Sequence, residues 1–413
     1  MGYWKEQQIV EDENRARGYR VPDHNETYLC LSHFDNQHLI NLLTPLSRNG
    51  RCSYCGKKTN VIDLADFIET VCARLIEYIG PMDNEGLYLA SSFMDDDDDD
   101  DDEYVPGWAK RGPYIAPDNV EYYESEIDVM YDFDLYTDND ALNKDIEDCL
   151  YVDGWIRRDP TGLLMKDKMI FSWKAFASLV KVKLRYTFFR SEEYYEDIDG
   201  NYYQGNDIIA DISSMVGVVR RMLPVGTKLY RGRPKDEKAP YTEFKELTSP
   251  PSKLAKNNRM NPQGISLFYG SLDKETPISE IRNYLNDKSN DIFLGEFETT
   301  KELNIIDLCS IPTPDFWMGE NGDWQKYSFL RSFHNEISKP VNPNDEATEY
   351  IPTQVFSEYL RYIQKTNDGK KYDGIIYKSS LTRKKNIVLF YDNKTSEDIL
   401  RLRSIEIVKH PIE

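Results

Sequence analysis

Hydrophobic side chains recur at helical spacing through the first half of the chain. Apolar residues that are three and four positions apart form one face of an amphipathic helix. Four segments show this pattern, near 64–78, 141–150, 172–184 and 207–223. The last is the clearest, since Ile208, Ile212 and Val216 share one face before Pro224 and Gly226 interrupt the pattern. The sequence therefore predicts a mainly helical region that ends near residue 224.

Beyond Thr227 the pattern changes to short runs that are rich in strand-forming residues. These runs are predicted strands, at 228–232, 266–269, 292–299, 303–308, 374–377, 387–391 and 405–408. Helical spacing appears between them near 277–285 and 352–363. Strands interrupted by a few helices, without strict alternation, indicate an α+β domain rather than a doubly wound sheet.

The charge of the chain excludes some classes of protein. Its 413 residues carry a formal net charge of −21, so it cannot coat nucleic acid generally, although a local basic groove remains open. The aspartate run Asp95–Asp102 and Glu103 should form a solvated loop, with cation or partner binding as the alternative. No apolar run is long enough to span a membrane, and the first residues lack the core of a signal peptide. We expect a cytoplasmic protein that does not bind membranes.

Two pairs of candidate metal ligands lie near the N-terminus. Cys30 and His33 are separated by two residues, and Cys52 and Cys55 have the same spacing. A short gap lets both side chains of a pair reach one ion, and two pairs complete the tetrahedral set of a structural zinc site. His38 is an alternative to His33, but its spacing is poorer. The sequence predicts a structural Zn²⁺ module, which could also hold a partner.

These patterns divide the chain into three predicted domains. A zinc module covers 1–60, a helical domain with an acidic loop at 95–103 covers 61–224, and an α+β domain covers 225–413. The helical domain invites comparison with the HEPN ribonucleases, but none of the five histidines lies between residues 39 and 333. Without an imidazole, the usual acid–base partner is missing. We expect a scaffold or a sensor rather than a nuclease.

A series of polar residues marks the predicted α+β domain. Arg231 lies on the first strand beside Gly232, where a guanidinium can project a bidentate donor into a cleft. The series continues through Arg259, Asn261, Tyr269, Ser271, Glu280, Ser379 and Asn386. The phosphate-loop, Gly-x-Gly-x-x-Gly and Gly-x-Ser-x-Gly motifs are absent from the sequence.

In its order, this series resembles the RES family, which is called after its Arg, Glu and Ser residues. The resemblance extends over about 227–393. The sequence departs from the family pattern at Asn257–Asn258, Met260 and Lys378. The last departure leaves both Ser379 and Ser380 as the family serine, and the register favours Ser379. The cysteine–histidine pairs and the helical region resemble the HEPN-like extension of some RES proteins.

The resemblance implies a fold like that of ADP-ribosyltransferase toxins and cleavage of NAD⁺ at the nicotinamide–ribose bond. By this resemblance Arg231, Glu280 and Ser379 are catalytic. The residues implied to bind NAD⁺ are Arg259, Asn261, Tyr269 and Ser271. Glu280 would stabilise the positive charge on the ribose or orient its 2′-hydroxyl, and Arg231 and Arg259 would clamp the pyrophosphate. Tyr269 would stack on nicotinamide, and Ser379 would bond the carboxamide or ribose.

The sequence is compatible with several functions. The acceptor could be water, phosphate or a macromolecule, and the role could be that of a bacterial toxin or an anti-phage effector. An antidote protein, a phage-derived trigger or the chain's other domains would restrain such an enzyme, and a homo-oligomer is not excluded. Glu296-Phe-Glu298 mimics the Glu-x-Glu motif of arginine-directed ADP-ribosyltransferases, although their Ser-Thr-Ser strand is absent. The remaining alternative is a regulatory, partner-binding protein without activity.

Overall fold

The computed structural model describes residues 2–24, 26–81, 121–152, 154–158, 163–190, 194–196, 202–236, 239–284, 291–320 and 322–409. The predicted acidic loop at 95–103 lies outside these residues. The described chain forms two compact units. The first comprises Met1–Leu163 and Pro314–Trp324, and the second comprises Leu164–Thr313 and Gln325–Glu413. The chain combines helices with a C-terminal mixed sheet, which confirms the predicted α+β class.

The first unit combines short helices with two small sheets. Its helices are α1 (Gly2–Arg17), α2 (Gln37–Leu43), α3 (Leu64–Leu75), α4 (Glu126–Asp132) and α5 (Asp140–Glu147). Its strands are β1 (Tyr28–Cys30), β2 (Arg48–Arg51), β3 (Lys58–Asp63), β4 (Ile79–Pro81), β5 (Tyr122–Tyr123) and β6 (Trp155–Arg157). They form two three-stranded sheets, in the orders β1-β3-β2 and β4-β6-β5. Helix α3 begins where the Asp63 carboxylate accepts a bond from the amide of Ala65.

A segment from the C-terminal half of the sequence is built into this first unit. Arg74 of α3 is buried, and its guanidinium donates to the carbonyls of Phe316 (2.8 Å), Met318 (2.8 Å) and Gly319 (2.9 Å). The indole of Trp317 is also buried and donates to the carbonyl of Phe133 at 2.7 Å. These bonds compensate the cost of burying a cation and an indole N–H. Segment 314–324 therefore belongs to the hydrophobic core of the N-terminal part.

The second unit is built on an eight-stranded sheet. Its helices are α6 (Met165–Val182), α7 (Gly205–Met215), α8 (Phe244–Leu247), α9 (Glu275–Tyr284), α10 (Asp323–Ile337), whose first two residues belong to the first unit, α11 (Glu346–Glu349) and α12 (Ile351–Tyr362). Its strands are β7 (Tyr194–Glu196), β8 (Tyr202–Gln204), β9 (Arg220–Leu223), β10 (Lys228–Pro234), β11 (Phe268–Ser271), β12 (Ile292–Thr299), β13 (Leu303–Asp307), β14 (Gly374–Lys378), β15 (Lys385–Leu389) and β16 (Leu400–Val408). Strands β7 and β8 pair with each other, and the large sheet has the order β16-β12-β10-β11-β15-β14-β13-β9. Within it, β13 and β14 are parallel.

Helices α6 and α7 share the core of this second unit. The ring of Trp173 lies 4.9 Å from that of Phe333 on α10, which in turn lies 5.1 Å from Phe356 on α12. Phe176 of α6 and Ile212 of α7 are fully buried in the same cluster. The compact units therefore divide at 163/164, whereas the sequence predicts a boundary at 224/225. The reason is that the apolar faces of α6 and α7 are buried against α10 and α12.

The predicted C-terminal end of helix 207–223 is wrong. Helix α7 ends at Met215, and Arg220–Leu223 forms β9 instead, because these residues pair with Leu303 and its neighbours in β13. Helix α10 is not among the predicted helices. In the described part of the chain, no helix has both the length and the apolar composition of a membrane span.

We predict that the α6 contacts are a major source of stability for the second unit. Phe176→Ala should lower its free energy of unfolding by about 3–5 kcal/mol, because the fully buried ring leaves a cavity. The matched control Phe171→Ala, on the exposed side of the same helix, should cost less than about 1 kcal/mol. Urea denaturation followed by hydrogen exchange of peptides from β14 and β15 measures both. Equal effects would contradict the assignment of α6 to this core.

Candidate active site and metal-binding cluster

A cleft in the second unit gathers polar side chains from strands that are distant in sequence. It has a volume of about 110 Å³ and lies between α9 and strands β10, β11, β14 and β15. Its lining residues are Arg231, Gly232, Tyr269, Gly270, Pro277, Glu280, Ile281, Tyr377 and Asn386. Three of the predicted site residues, Arg231, Tyr269 and Glu280, therefore face one cavity.

The carboxylate of Glu280 is held by two donors at this cleft. Its Oε1 accepts a hydrogen bond from Ser379 Oγ at 2.7 Å and another from Asn386 Nδ2 at 2.7 Å. Ser379 is completely buried, and its Oγ accepts weaker bonds from the amides of Leu381 and Thr382, both at 3.3 Å. The neighbouring Ser380 is exposed. Of the two candidate serines, Ser379 is the one that bonds to Glu280.

The sequence of the β11–α9 turn brings Glu280 to the cleft. The Asp273 carboxylate accepts bonds from the backbone amides of Glu275 and Thr276 (3.1 and 3.0 Å), which satisfies donors at the beginning of α9. Gly232 then permits α9 to approach β10, since a Cβ at this position would lie only 2.5 Å from Ile281 Cδ1. A side chain at this position would therefore force the end of the Ile281 side chain to move.

Arg231 enters the cleft with part of its hydrogen-bonding capacity already used. Its Nη1 donates to the carbonyl of Tyr269 at 2.6 Å, and its guanidinium lies 5.8 Å from the ring of Phe268. Burial, together with the charge of Arg233, lowers the pKa of Arg231 to about 10. The side chain therefore remains a cation at neutral pH, and a partly desolvated cation interacts strongly with an anion.

Tyr269 is fixed by its hydroxyl group. The hydroxyl donates to Asn261 Oδ1 at 2.7 Å and accepts from the amide of Met260 at 3.1 Å. Burial raises the pKa of the Tyr269 phenol, so it stays neutral and keeps donating. Asn261 is itself buried, and its amide donates to the carbonyls of Pro262 and Ile265 at 2.9 and 2.7 Å. Asn261 therefore orients Tyr269 from behind the cleft and does not line it.

Arg259 and Ser271, both predicted to bind substrate, do not line the cleft either. Arg259 donates to the carbonyls of Ile337 and Lys339 at 2.6 and 2.7 Å, and thereby holds the C-terminal end of α10. Ser271 is buried and donates to the carbonyl of Asp273, which supports the turn before α9. The predicted pair of arginines is therefore not brought together, because the Arg259 guanidinium already binds backbone carbonyls.

The Glu-x-Glu alternative receives no support from the geometry. Glu296 forms an ion pair with Lys228 at 2.9 Å, and Glu298 forms one with Arg403 at 2.5 Å. These partners lie on the neighbouring strands β10 and β16. Both carboxylates bind cations across the sheet and are not among the residues that line the cleft.

For three residues at or near the cleft, the sequence predicted no role. Tyr377 and Asn386 line the cleft and are paired in register on β14 and β15. His334 is buried on α10, and its Nε2 accepts a bond from the amide of Lys378 at 3.2 Å. Burial and the charge of Lys378 lower the pKa of His334 to about 4, so the imidazole is a neutral acceptor. Asn386 could have been found as a polar residue next to the predicted strand 387–391, whereas no sequence pattern indicated a role for His334.

The predicted metal ligands form one cluster in the first unit. The ligand atoms of Cys30, His33, Cys52 and Cys55 all lie within 4.8 Å of one another. The Cys30 and Cys55 sulfurs are 3.6 Å apart, and Cys52 Sγ is 3.4 Å from His33 Nε2. A tetrahedral ion with metal–sulfur bonds of about 2.3 Å would separate two sulfurs by about 3.8 Å. The geometry therefore fits a metal ion, and His38 is not part of the cluster.

The local environment favours metal-binding protonation states at two of these ligands. Burial, and then the charge of Lys57, lowers the pKa of His33, which keeps the imidazole neutral. A hydrogen bond from the backbone of Lys57 lowers the pKa of Cys55. Burial raises the pKa of Cys30 to about 11, so a metal ion would displace a proton from that thiol.

Comparison with known families matches both parts of the chain. Residues 228–406 match the RES domain, and residues 46–194 match HEPN/RES N-terminal domain 1. No curated protein matches the chain. The RES match runs from β10 into β16 and includes every residue that lines the cleft, and the N-terminal match includes Cys52 and Cys55. The resemblance drawn from the ordered polar residues is confirmed.

We predict that the two adjacent serines differ in their effect on stability. Ser379→Ala should lower the free energy of unfolding by about 1–3 kcal/mol, because buried partners lose their bonds. Ser380→Ala should change it by less than about 0.5 kcal/mol, because that side chain is exposed. Denaturant titration of the two variants makes the comparison. A neutral Ser379→Ala would show that the bond to Glu280 contributes nothing.

Proposed function

We propose that the chain is an enzyme that consumes NAD⁺. It carries a RES domain, whose family is usually linked to NAD-related toxin activity, together with HEPN/RES N-terminal domain 1. The reaction would cleave the bond between nicotinamide and ribose. The observation that supports this proposal best is the carboxylate of Glu280, which Ser379 and Asn386 hold at the cleft that Arg231 also lines.

The chemistry of the bond explains why a fixed carboxylate is useful. When the bond from the ribose C1′ to the nicotinamide ring nitrogen breaks, its electron pair leaves with neutral nicotinamide, and positive charge develops on the ribose. A carboxylate that is already oriented stabilises this charge without reorganisation. The oxygen of water or phosphate then forms the new bond to C1′, and a water nucleophile releases its proton to solvent. Glycohydrolase and phosphorylase reactions differ only in this acceptor, and a macromolecular acceptor would give an ADP-ribosyltransferase.

The size of the cleft suggests which part of NAD⁺ it would hold. Pockets that enclose a whole drug-sized ligand measure about 300–1,000 Å³, and this cleft measures about 110 Å³. We therefore assign it to the nicotinamide end, with Tyr269 and Tyr377 beside the ring. Arg231 would attract the phosphates through its charge. Arg259 has no direct role here, because its donors bind the end of α10.

The cellular role that we propose is that of a toxin or an anti-phage effector in the cytoplasm. An enzyme that drains NAD⁺ must be restrained, and we assign this task to the N-terminal part, to an antidote protein, or to both. A phage-derived trigger would then release the activity.

For the N-terminal cluster we propose a structural Zn²⁺ ion. Cys30, His33, Cys52 and Cys55 would fill all four positions of a tetrahedral site, and structural zinc sites are closed in this way. Cys30 lies on β1, and the turn between β2 and β3 carries Cys52 and Cys55. The ion would therefore connect the ends of the β1-β3-β2 sheet.

We predict that Glu280→Gln lowers the rate of NAD⁺ cleavage by at least about 100-fold, because it removes the charge that stabilises the transition state and keeps the shape. The matched control is Glu275→Gln, an exposed position on the same helix, which should keep the rate. Chromatography of nicotinamide and of the sugar product, with and without phosphate, identifies the acceptor. In cells, the full chain should lower NAD⁺ and stop growth once its restraint is released, and Glu280→Gln should do neither. A well-folded Glu280→Gln variant with unchanged turnover would refute the proposal.

We predict one zinc ion per chain in protein prepared without chelators. Cys52→Ser should remove the ion and lower the thermal stability of the first unit, since metal binding and local folding are coupled. Cys149→Ala, which changes a buried cysteine outside the cluster, should keep the full zinc content. Elemental analysis and calorimetry give the two readouts. Equal zinc in the Cys52→Ser variant and the parent chain would exclude this site.

A further inference from the structure

The first unit contains an open cavity that belongs neither to the proposed NAD⁺ site nor to the metal cluster. Its volume is about 380 Å³, within the range of small-molecule pockets. Six aromatic residues line it, Tyr78, Tyr122, Tyr123, Phe133, Phe316 and Trp324. Three carboxylates, from Glu121, Asp132 and Asp315, complete the lining together with a proline. The cavity therefore combines aromatic walls with negative charge.

The aromatic rings are fixed by contacts with one another. Tyr78 lies edge-on to Trp324, with ring centroids 5.5 Å apart, and 5.8 Å from Phe316. Phe133 lies 4.6 Å from Phe316 and 5.9 Å from Tyr123. Two of these pairs are edge-to-face and two are tilted, and such contacts between aromatic rings are favourable. The walls are thus ordered before any ligand binds.

Two of these carboxylates accept hydrogen bonds from tyrosine hydroxyls of the lining. The Tyr78 hydroxyl donates to Glu121 Oε2 at 2.6 Å, and Asp132 accepts from the hydroxyl of Tyr123. Burial, and then the bond to Glu121, raises the pKa of Tyr78, so the phenol is a neutral donor and does not cancel the charge of its partner. Arg157 is a cation whose charge acts on Tyr78. Arg74 adds a second cation, 5.7 Å from the ring of Phe316 and close to Asp315. The three carboxylates exceed the positive charge of these two arginines.

From these features we propose that the cavity binds an organic cation with an alkylammonium group. The faces of aromatic rings attract a cation through their quadrupole, and several such faces around a site form a cage for methylated ammonium groups. The nearby carboxylates add charge complementarity, and the neutral phenols and apolar rings suit the alkyl substituents. A metal ion does not suit this lining, because hard cations require a dense shell of oxygen ligands. The ammonium could belong to a free small molecule or to a lysine side chain of a partner.

A ligand in this cavity would touch both parts of the sequence that the family models match. Tyr78 and Phe133 lie in the range 46–194, whereas Phe316 and Trp324 lie in the range 228–406. Trp324 is also the second residue of α10. The site is thus incomplete without the segment that the RES sequence contributes to the first unit.

The test is calorimetric titration of the full chain with tetramethylammonium, choline and the neutral isostere 3,3-dimethyl-1-butanol. We expect saturable binding of both cations and at least about tenfold weaker binding of the alcohol, because it lacks the charge. A peptide that contains trimethyllysine forms the second arm. Tighter binding of choline assigns the ligand to the small molecules, and tighter binding of the peptide assigns it to a protein.

Variants separate recognition of the cation from simple apolar contact. Glu121→Gln and Tyr122→Ala should each weaken choline binding by about three- to tenfold. The matched control Glu124→Gln, at an exposed position outside the cavity, should leave it unchanged. Trp324→Phe should remove the change in tryptophan fluorescence on binding. Equal affinity for choline and the alcohol, equal effects of Glu121→Gln and Glu124→Gln, or no saturable binding by the folded chain would overturn the proposal.

Discussion

The burial of strands β14 and β15 on both faces is the constraint on which the second unit depends. Ile375 and Val388 belong to one hydrophobic cluster, and Ile376 and Ile387, which alternate with them, belong to another. A central strand that is apolar on both sides needs a covering layer on both sides. Helices α6, α7, α10 and α12 supply residues to the first cluster. Helices α6 and α7, which precede the sheet in sequence, therefore pack against it. The second unit thus begins before the residues that match the RES domain.

The same constraint fixes the positions of the donors in the candidate active site. Ser379 directly follows β14, and Asn386 lies on β15, so the two donors to Glu280 are attached to strands in which four of five residues are buried. His334 fixes the end of β14 through the amide of Lys378. A carboxylate held in this way needs little rearrangement when charge develops next to it. The chemistry proposed for the cleft follows from strand packing as much as from the identity of its residues.

The fold class, most strands of the eight-stranded sheet and the metal cluster could be predicted from the sequence, because each depends on local pattern. Alternation and β-branched runs indicate buried strands, and the Cys–His spacing reflects how a short turn closes on an ion. The role of Arg259 could not be predicted, because chain order does not tell which way a side chain points. Its partners are carbonyls at the end of α10. This helix is not among those predicted, although Phe329, Leu330, Phe333 and Ile337 follow helical spacing. The position of segment 314–324 was equally hidden, since a long-range contact leaves no periodic signal.

The chain passes between the two units three times, after Leu163, after Thr313 and after Trp324. After one proteolytic cut at the first passage, residues 1–163 would be held only by non-covalent contacts with segment 314–324, such as the bonds of Arg74 and Trp317, and nicked protein should stay associated while this unit is folded. A gene fragment that starts at Thr227 would lack α6 and α7 and would expose the rings of Phe333 and Phe356 that they cover. It would also carry Phe316 and Trp317 without their partners. The two units are therefore interleaved in sequence, and no single break in the chain divides them into self-contained parts.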